Sequence, residues 1–192
     1  MIIQTAIGEV SLAAVAGGGG DTDSEIASGY ILEMLSNWFY GELIDILKRS
    51  INQNTVVNSL LRVIKKSEMK LAAYNEQNHT HLRFSLGLIL GIAKRSIWLT
   101  MGGCRLYLIK PTSQKLIHKE ADLWIRKKRI IRKQSYLLCT SGYSDSVCMD
   151  HILSTLSSNI KTNESVCKTL KTFATRKSNP SQNSMSAIYL HY

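Results

Sequence analysis

Between residues 55 and 110 the apolar residues of this 192-residue chain change their period. From Thr55 to Asn75 they fall at helical spacing, with Val57, Leu60, Leu61, Ile64, Leu71 and Tyr74 on one side. From Phe84 onward they come as short, nearly continuous runs: Phe84 to Ala93, Ile97 to Met101, and Arg105 to Lys110. Lys94-Arg95-Ser96 and Gly102-Gly103 separate the runs. A long helix followed at once by closely spaced strands implies a helical layer packed on a sheet. The three runs are expected to form an antiparallel meander.

The flanking segments extend this reading. Ile2 to Val15 predicts one or two strands, with a turn near Ile7-Gly8-Glu9, and runs into Gly17-Gly18-Gly19-Gly20. Four consecutive glycines end any regular element. Asp21, Thr22, Asp23 or Ser24 can then cap a helix starting near Glu25, whose stripe would be Ile26, Tyr30, Ile31, Met34, Leu35 and Trp38. Gly41 interrupts it, and a short helix is expected from Glu42 to Arg49. Beyond the turn at Pro111-Thr112-Ser113 come a strand at Lys115 to His118 and a buried strand at Ser135 to Thr140, ended by Ser141-Gly142. Helices at Asp150 to Ser157 and Glu164 to Ala174 (capped by Asn163) and a strand at Met185 to Leu190 close the chain. The order is strand, two helices, several strands, two helices, strand: one α+β domain over residues 1–192.

Composition narrows the function classes. At 44% hydrophobic residues the chain can build a sizeable core, yet no apolar stretch is long enough to cross a bilayer. Met1 to Val15 has no basic n-region and carries Glu9, so it does not read as a signal peptide, and a cytoplasmic location is expected. Cys104, Cys139, Cys148 and Cys167 include no CxxC pair. They make a poor zinc or disulfide signature and read as reduced thiols in or near the core. His79 and His81 lack further metal ligands nearby, and no nucleophile-base set can be assembled from local sequence. Asp145 and Asp150 read as caps or surface groups.

The net charge is +10, unevenly spread. Residues 83–133 hold thirteen Lys and Arg against two acids. The steepest part is Arg126, Lys127, Lys128, Arg129, Arg132 and Lys133. Such a cluster attracts anionic partners, whether phosphoprotein, nucleic acid or lipid headgroups, or serves only to solvate a hairpin. Trp124 is its sole aromatic neighbour, which argues against nucleic-acid stacking. The amides of Gly18, Gly19 and Gly20 can in principle cradle an anion. The run is neither GxGxxG nor followed by the Lys-Ser/Thr of a Walker loop.

Four segments together carry a resemblance. They are Ala14-Val15-Ala16-Gly17-Gly18-Gly19-Gly20 with Glu25-Ile26-Ala27-Ser28; Met101-Gly102-Gly103-Cys104-Arg105-Leu106-Tyr107-Leu108; Leu137-Leu138-Cys139-Thr140-Ser141-Gly142-Tyr143-Ser144-Asp145; and Asn183-Ser184-Met185-Ser186-Ala187-Ile188. In order, these resemble V-D-G-x-G-G…E-x-A-S, V-G-D-S-R-x-Y-L, L-L-C-S-D-G-L-x-D and D-N-x-T-x-I of the PP2C-type metal-dependent serine/threonine phosphatases. Each match is degenerate, but the four run in the family's order along almost the whole chain. The resemblance implies an α-β-β-α sandwich of two stacked antiparallel sheets flanked by helix pairs, abbreviated at the amino terminus and in the middle.

It also implies a specific loss. In the family, aspartates hold two Mn²⁺ or Mg²⁺ ions that activate a water against a phosphoserine or phosphothreonine. Hard cations need such oxygen ligands and clustered negative charge. Here the corresponding positions are Ala16, Gly103, Ser141 and Asn183; Gly17, whose carbonyl is a ligand in the family, is retained. The resemblance therefore implies a pseudophosphatase without a metal cofactor, acting as a regulatory or scaffold partner of another protein such as a phosphoprotein or kinase. The alternative is an active enzyme with an Mn or Mg site rebuilt from Asp21 and Asp23. Asp145 matches a family aspartate outside the core ligand set.

Overall fold

The computed structural model describes residues 1–5, 10–19, 24–49, 52–110, 113–118, 122–131, 134–158, 163–175 and 185–192. Five strands form one antiparallel sheet: β1 (Ile2–Thr5), β2 (Val10–Gly19), β3 (Arg83–Ile92), β4 (Arg95–Met101) and β7 (Trp124–Arg129), in the order β1-β2-β3-β4-β7. Four strands form the second: β5 (Arg105–Lys110), β6 (Ser113–His118), β8 (Ser135–Cys139) and β9 (Ala187–His191), in the order β6-β5-β8-β9. The amino-terminal pair is short on one side, four residues of β1 against ten of β2. Among the described residues the helices are α1 (Ser24–Trp38), α2 (Ile44–Arg49), α3 (Gln53–Asn78), α4 (Ser141–Ser146), α5 (Met149–Ser158) and α6 (Asn163–Thr175).

Side-chain alternation along the strands separates three apolar layers. Leu12 and Ala14 of β2, Leu86, Leu88 and Leu90 of β3, and Ile97 and Leu99 of β4 face α1 and α3, where they meet Ile31, Leu35, Leu60 and Ile64. Val15, Ile89 and Trp98 point the other way, to Leu106, Tyr136 and Leu138 of the second sheet. The outer face of that sheet, through Tyr107, Ile109 and Leu137, packs on Ile152, Leu156, Val166 and Leu170 of α5 and α6. The architecture is the α-β-β-α sandwich. Gly87 lets the sheets approach: a Cβ there would lie 2.7 Å from Leu138 Cδ1 and 3.2 Å from Cys104 Cβ.

Four expectations change. The three apolar runs are not one meander: β3 and β4 form a hairpin, but Gly102-Gly103 carries the chain across to the second sheet, where β5 pairs with β6 and β8. Gly41 does not break the first helix. A π-helical turn, Phe39–Leu43, links α1 to α2, because Trp38 Nε1 donates to Ser59 Oγ (2.7 Å) and Ser59 donates to Glu42 (2.6 Å), pinning the turn to α3. Ile26 is exposed, since the buried stripe of α1 runs through Ala27, Ile31, Leu35 and Trp38. Cys148 and Cys167 are exposed, whereas Cys104 and Cys139 are buried. No helix among the described residues is long and apolar enough to cross a membrane.

Candidate functional site

Three chain segments meet at one end of the sandwich: the end of β2, the start of β3 with the β4–β5 crossing, and the junction of β8 with α4. They enclose a cavity of about 250 Å³ lined by Gly17, Gly18, Gly19, Arg83, Phe84, Ser85, Gly102, Gly103, Thr140, Ser141 and Gly142. Each wall has a local cause. Gly19 pairs with Arg83 and Gly17 with Ser85 in the β2–β3 ladder, so Gly17 to Gly19 continue the strand instead of ending it as expected. Gly102 adopts φ +63°, a left-handed conformation that suits glycine, and turns the chain between the sheets. Thr140 fixes the third wall: its hydroxyl accepts from Ser186 N (3.1 Å), and its own N–H donates to Ser186 O (3.0 Å).

The polar atoms of this cavity are largely engaged with one another. Ser85 Oγ donates to the Gly17 carbonyl (3.3 Å) and accepts from Cys104 Sγ (3.6 Å). Gly103 and Ser141 are in direct contact: a Cβ at Gly103 would meet Ser141 Oγ at 2.5 Å and Ser141 Cβ at 3.0 Å. Burial pushes the Cys104 and Cys139 thiols up to about 12, so neither is a thiolate nucleophile near neutral pH. Among the described residues no carboxylate lines the cavity, and Arg83 brings a cation to its rim. A second cavity of about 500 Å³ shares Arg83 and Phe84 and continues between α3 and β3 past Leu71, Leu82 and Met101.

The structure thus brings together Gly17, Gly18, Gly19, Gly103 and Ser141. Ala16 sits apart, with its methyl in the apolar layer under the helices and only 6% exposed. Asp145 is turned to Arg105, which it contacts at 2.7 Å, and does not line the cavity. Gly20, Asp21, Asp23 and Asn183 lie outside the described residues, as do Arg132 and Lys133. Arg126, Lys127, Lys128 and Arg129 belong to β7, far from this cavity at the edge of the first sheet. Arg83, Phe84 and Ser85 are site residues that sequence reasoning missed: they open the apolar run at β3 and belong to none of the four motif-like segments.

No family model matches the sequence, and no curated protein sequence matches it. Solved structures do. A serine/threonine phosphatase from S. agalactiae superposes with a TM-score of 0.81 at 12% identity, covering 100% of this chain and 91% of that one. Stp1 of Staphylococcus aureus gives 0.79 at 18% identity, covering 98% and 86%. The catalytic domain of the phosphatase PstP, in complex with two manganese ions, gives 0.75 at 19% identity, covering 98% and 89%. The fold is that of the PP2C-type phosphatases.

Placed in that PP2C fold, the described walls of the cavity do not suit a pair of divalent cations. Among the described residues no group of three or more His, Cys, Asp or Glu side chains is arranged to hold a metal. The cavity offers hydroxyls and backbone groups, one of whose carbonyls is already hydrogen-bonded, with Arg83 beside them. Neutral oxygens next to a guanidinium do not gather two dications.

Proposed function

We propose that this chain is a PP2C-fold protein that has given up phosphoryl hydrolysis and works by binding another protein, as a regulatory or scaffold partner. The observation that carries the reading is the Gly103–Ser141 contact. Where the resemblance expects two aspartates, the backbone of one residue and the side chain of the other are packed together, so that a carboxylate at Gly103 would have to displace Ser141. The loss is therefore of space as well as of ligands. Arg83 at the rim adds a charge of the wrong sign for metal capture. The intact core beneath supports a retained binding role, because three continuous apolar layers still hold the loops in place.

Calorimetric titration with Mn²⁺ and Mg²⁺, alongside turnover of a phosphopeptide and p-nitrophenyl phosphate, tests this. The expected result is no stoichiometric metal uptake in the micromolar range and no metal-stimulated turnover. Stoichiometric Mn²⁺ binding with turnover that disappears in Asp21→Asn/Asp23→Asn would replace this proposal with the rebuilt-site enzyme.

A further inference from the structure

The far end of the first sheet carries a different feature. A groove of about 480 Å³ is lined by Gln53, Lys94, Arg95, Lys127, Lys128 and Arg129. Three separate elements build it: the β3–β4 hairpin supplies Lys94 in its turn and Arg95 at the start of β4, the edge strand β7 supplies Lys127, Lys128 and Arg129, and the first turn of α3 supplies Gln53. The cluster is held in shape. Ile130 N donates to the Lys94 carbonyl (3.0 Å), tying the end of β7 to the turn. Lys127 Nζ reaches across to Asn54 Oδ1 on α3. Trp98 Nε1 donates to Ser96 Oγ (2.9 Å), and that hydroxyl lies 3.5 Å from the Lys128 carbonyl.

Two facts point from this groove to a ligand. The β4–β7 register sets Arg95 directly opposite Arg129. Like charges facing each other across an antiparallel pair repel. Among the described residues no carboxylate lines the groove, and none forms an ion pair with any of the cations around it. The second fact is Gln53, whose Nε2 is buried without a hydrogen-bond partner. A buried, unsatisfied donor is disfavoured unless something accepts from it. Lys94, Arg95, Lys127 and Arg129 around one concave volume, with no ion-pair partner among the described residues and the unpartnered Gln53 amide beside them, are complementary to a dense, compact anion. Phosphate oxygens are the acceptors that Lys and Arg bind best. The groove has the size of a small-ligand pocket rather than of a track for an extended strand, and no aromatic side chain lines it.

We propose that this groove binds a compact ligand carrying several phosphate groups, either free in solution or displayed as a lipid headgroup. The proposal does not depend on the state of the glycine-lined cavity, which lies at the opposite end of β3, about 30 Å away along a ten-residue strand.

The test uses the full chain with inositol hexakisphosphate and tripolyphosphate in calorimetry. Phosphatidylcholine vesicles with and without phosphatidylinositol bisphosphate are run in sedimentation, and a single-stranded oligonucleotide serves as the extended polyanion. The expected result is one-to-one binding of a soluble probe, weakened about tenfold or more in Arg95→Gln/Arg129→Gln and about threefold in Gln53→Ala. Lys65→Gln/Lys66→Gln on the exposed side of α3 and Arg83→Gln at the other cavity should leave it unchanged. Gln53→Ala supplies a readout that a structural role would not give, since removing an idle donor weakens the ligand without lowering the melting temperature. Vesicle binding that requires the bisphosphate headgroup, with the same variant pattern, assigns the lipid as the source. No binding at low salt, equal loss in the Lys65/Lys66 control, or binding of the oligonucleotide alone would overturn the proposal.

Discussion

Introducing a carboxylate at Gly103 separates a site that lacks only its ligands from one that has also lost the space for them. Gly103 is not held at positive φ, so its backbone accepts a side chain; the obstacle is Ser141. An Asp Cβ would arrive 2.5 Å from Ser141 Oγ and 3.0 Å from Ser141 Cβ. The hydroxyl can rotate away, but the Cβ moves only with the start of α4. Overpacking of this kind costs about 1–3 kcal/mol. For a chain of this length that lowers the melting temperature by roughly 2–12 °C. Ser141→Gly removes both atoms in the way, so the double variant should recover most of the loss, with a coupling of about 1 kcal/mol or more in the cycle of both singles and the double. The assay is thermal unfolding of the four proteins with and without Mn²⁺. A metal present at a hundred times its dissociation constant would add about 2.7 kcal/mol. None of the four should show a shift near that size, because one restored carboxylate leaves the other positions neutral and Arg83 in place. If Gly103→Asp melts with the parent and gains several degrees with Mn²⁺, the reasoning about lost space is wrong and the cavity is one residue away from a metal centre.

Three further outcomes follow from the packing. Gly87→Ala places a methyl 2.7 Å from Leu138 Cδ1 between the sheets, and denaturant melts should show a loss of about 1–3 kcal/mol. Ser59→Ala leaves the buried Trp38 N–H without its acceptor and should cost about 1–3 kcal/mol in the same assay. It also removes the hydrogen bond that, ahead of Arg62, holds the Glu42 carboxyl below its ordinary value. A depressed folded pKa contributes stability above the unfolded pKa that is lost as pH falls through the folded one. Acid titration should therefore show the difference between parent and Ser59→Ala shrinking below the usual carboxylate range. With an alkylating reagent at neutral pH, Cys148 and Cys167 should label in the native protein while Cys104 and Cys139 label only on unfolding, as mass spectrometry of the peptides would show. Native labelling of Cys104 would mean that the glycine-lined cavity opens.

The sequence was most readable where one face of an element is buried and the other is wet. The α3 stripe of Val57, Leu60, Ile64 and Leu71 was plain, because a helix on a sheet has one apolar side. The β4 to β5 crossing was not readable. Both strands sit between two layers, so their apolar runs are continuous and carry no sign of which sheet each joins. The edge strand β7 fails in the opposite way. Trp-Ile-Arg-Lys-Lys-Arg has four exposed residues in a row, so the alternation that marks a strand never appears. At the candidate site, motif order brought Gly17, Gly103 and Ser141 to one place on paper, and the cavity joins them. The contact between Gly103 and Ser141 spans 38 positions of sequence and depends on how two sheets stack, which no local pattern encodes. The convergence of Lys94 and Arg95 with Lys127 to Arg129 likewise rests on the β4–β7 register.

The two unusual features of the chain, a phosphatase-like cavity whose described walls carry no acid and a strong positive charge, invite a single explanation, but the net charge separates them. Returning a carboxylate to each of the four positions implied by the resemblance would lower the net charge from +10 only to +6. Most of the excess therefore has another origin, and the structure locates part of it: Lys94, Arg95, Lys127 and Arg129 line one groove at the far end of β3. On the proposed reading, drift accounts for neutral residues at the positions where the resemblance expects acids. It does not account for Lys94, Arg95, Lys127 and Arg129 converging from the β3–β4 hairpin and β7, two of them facing each other across a strand pair at a cost in repulsion. A cost of that kind persists most readily when a ligand repays it, and that is a reason to look for this protein's binding activity at the basic groove before the glycine-lined cavity.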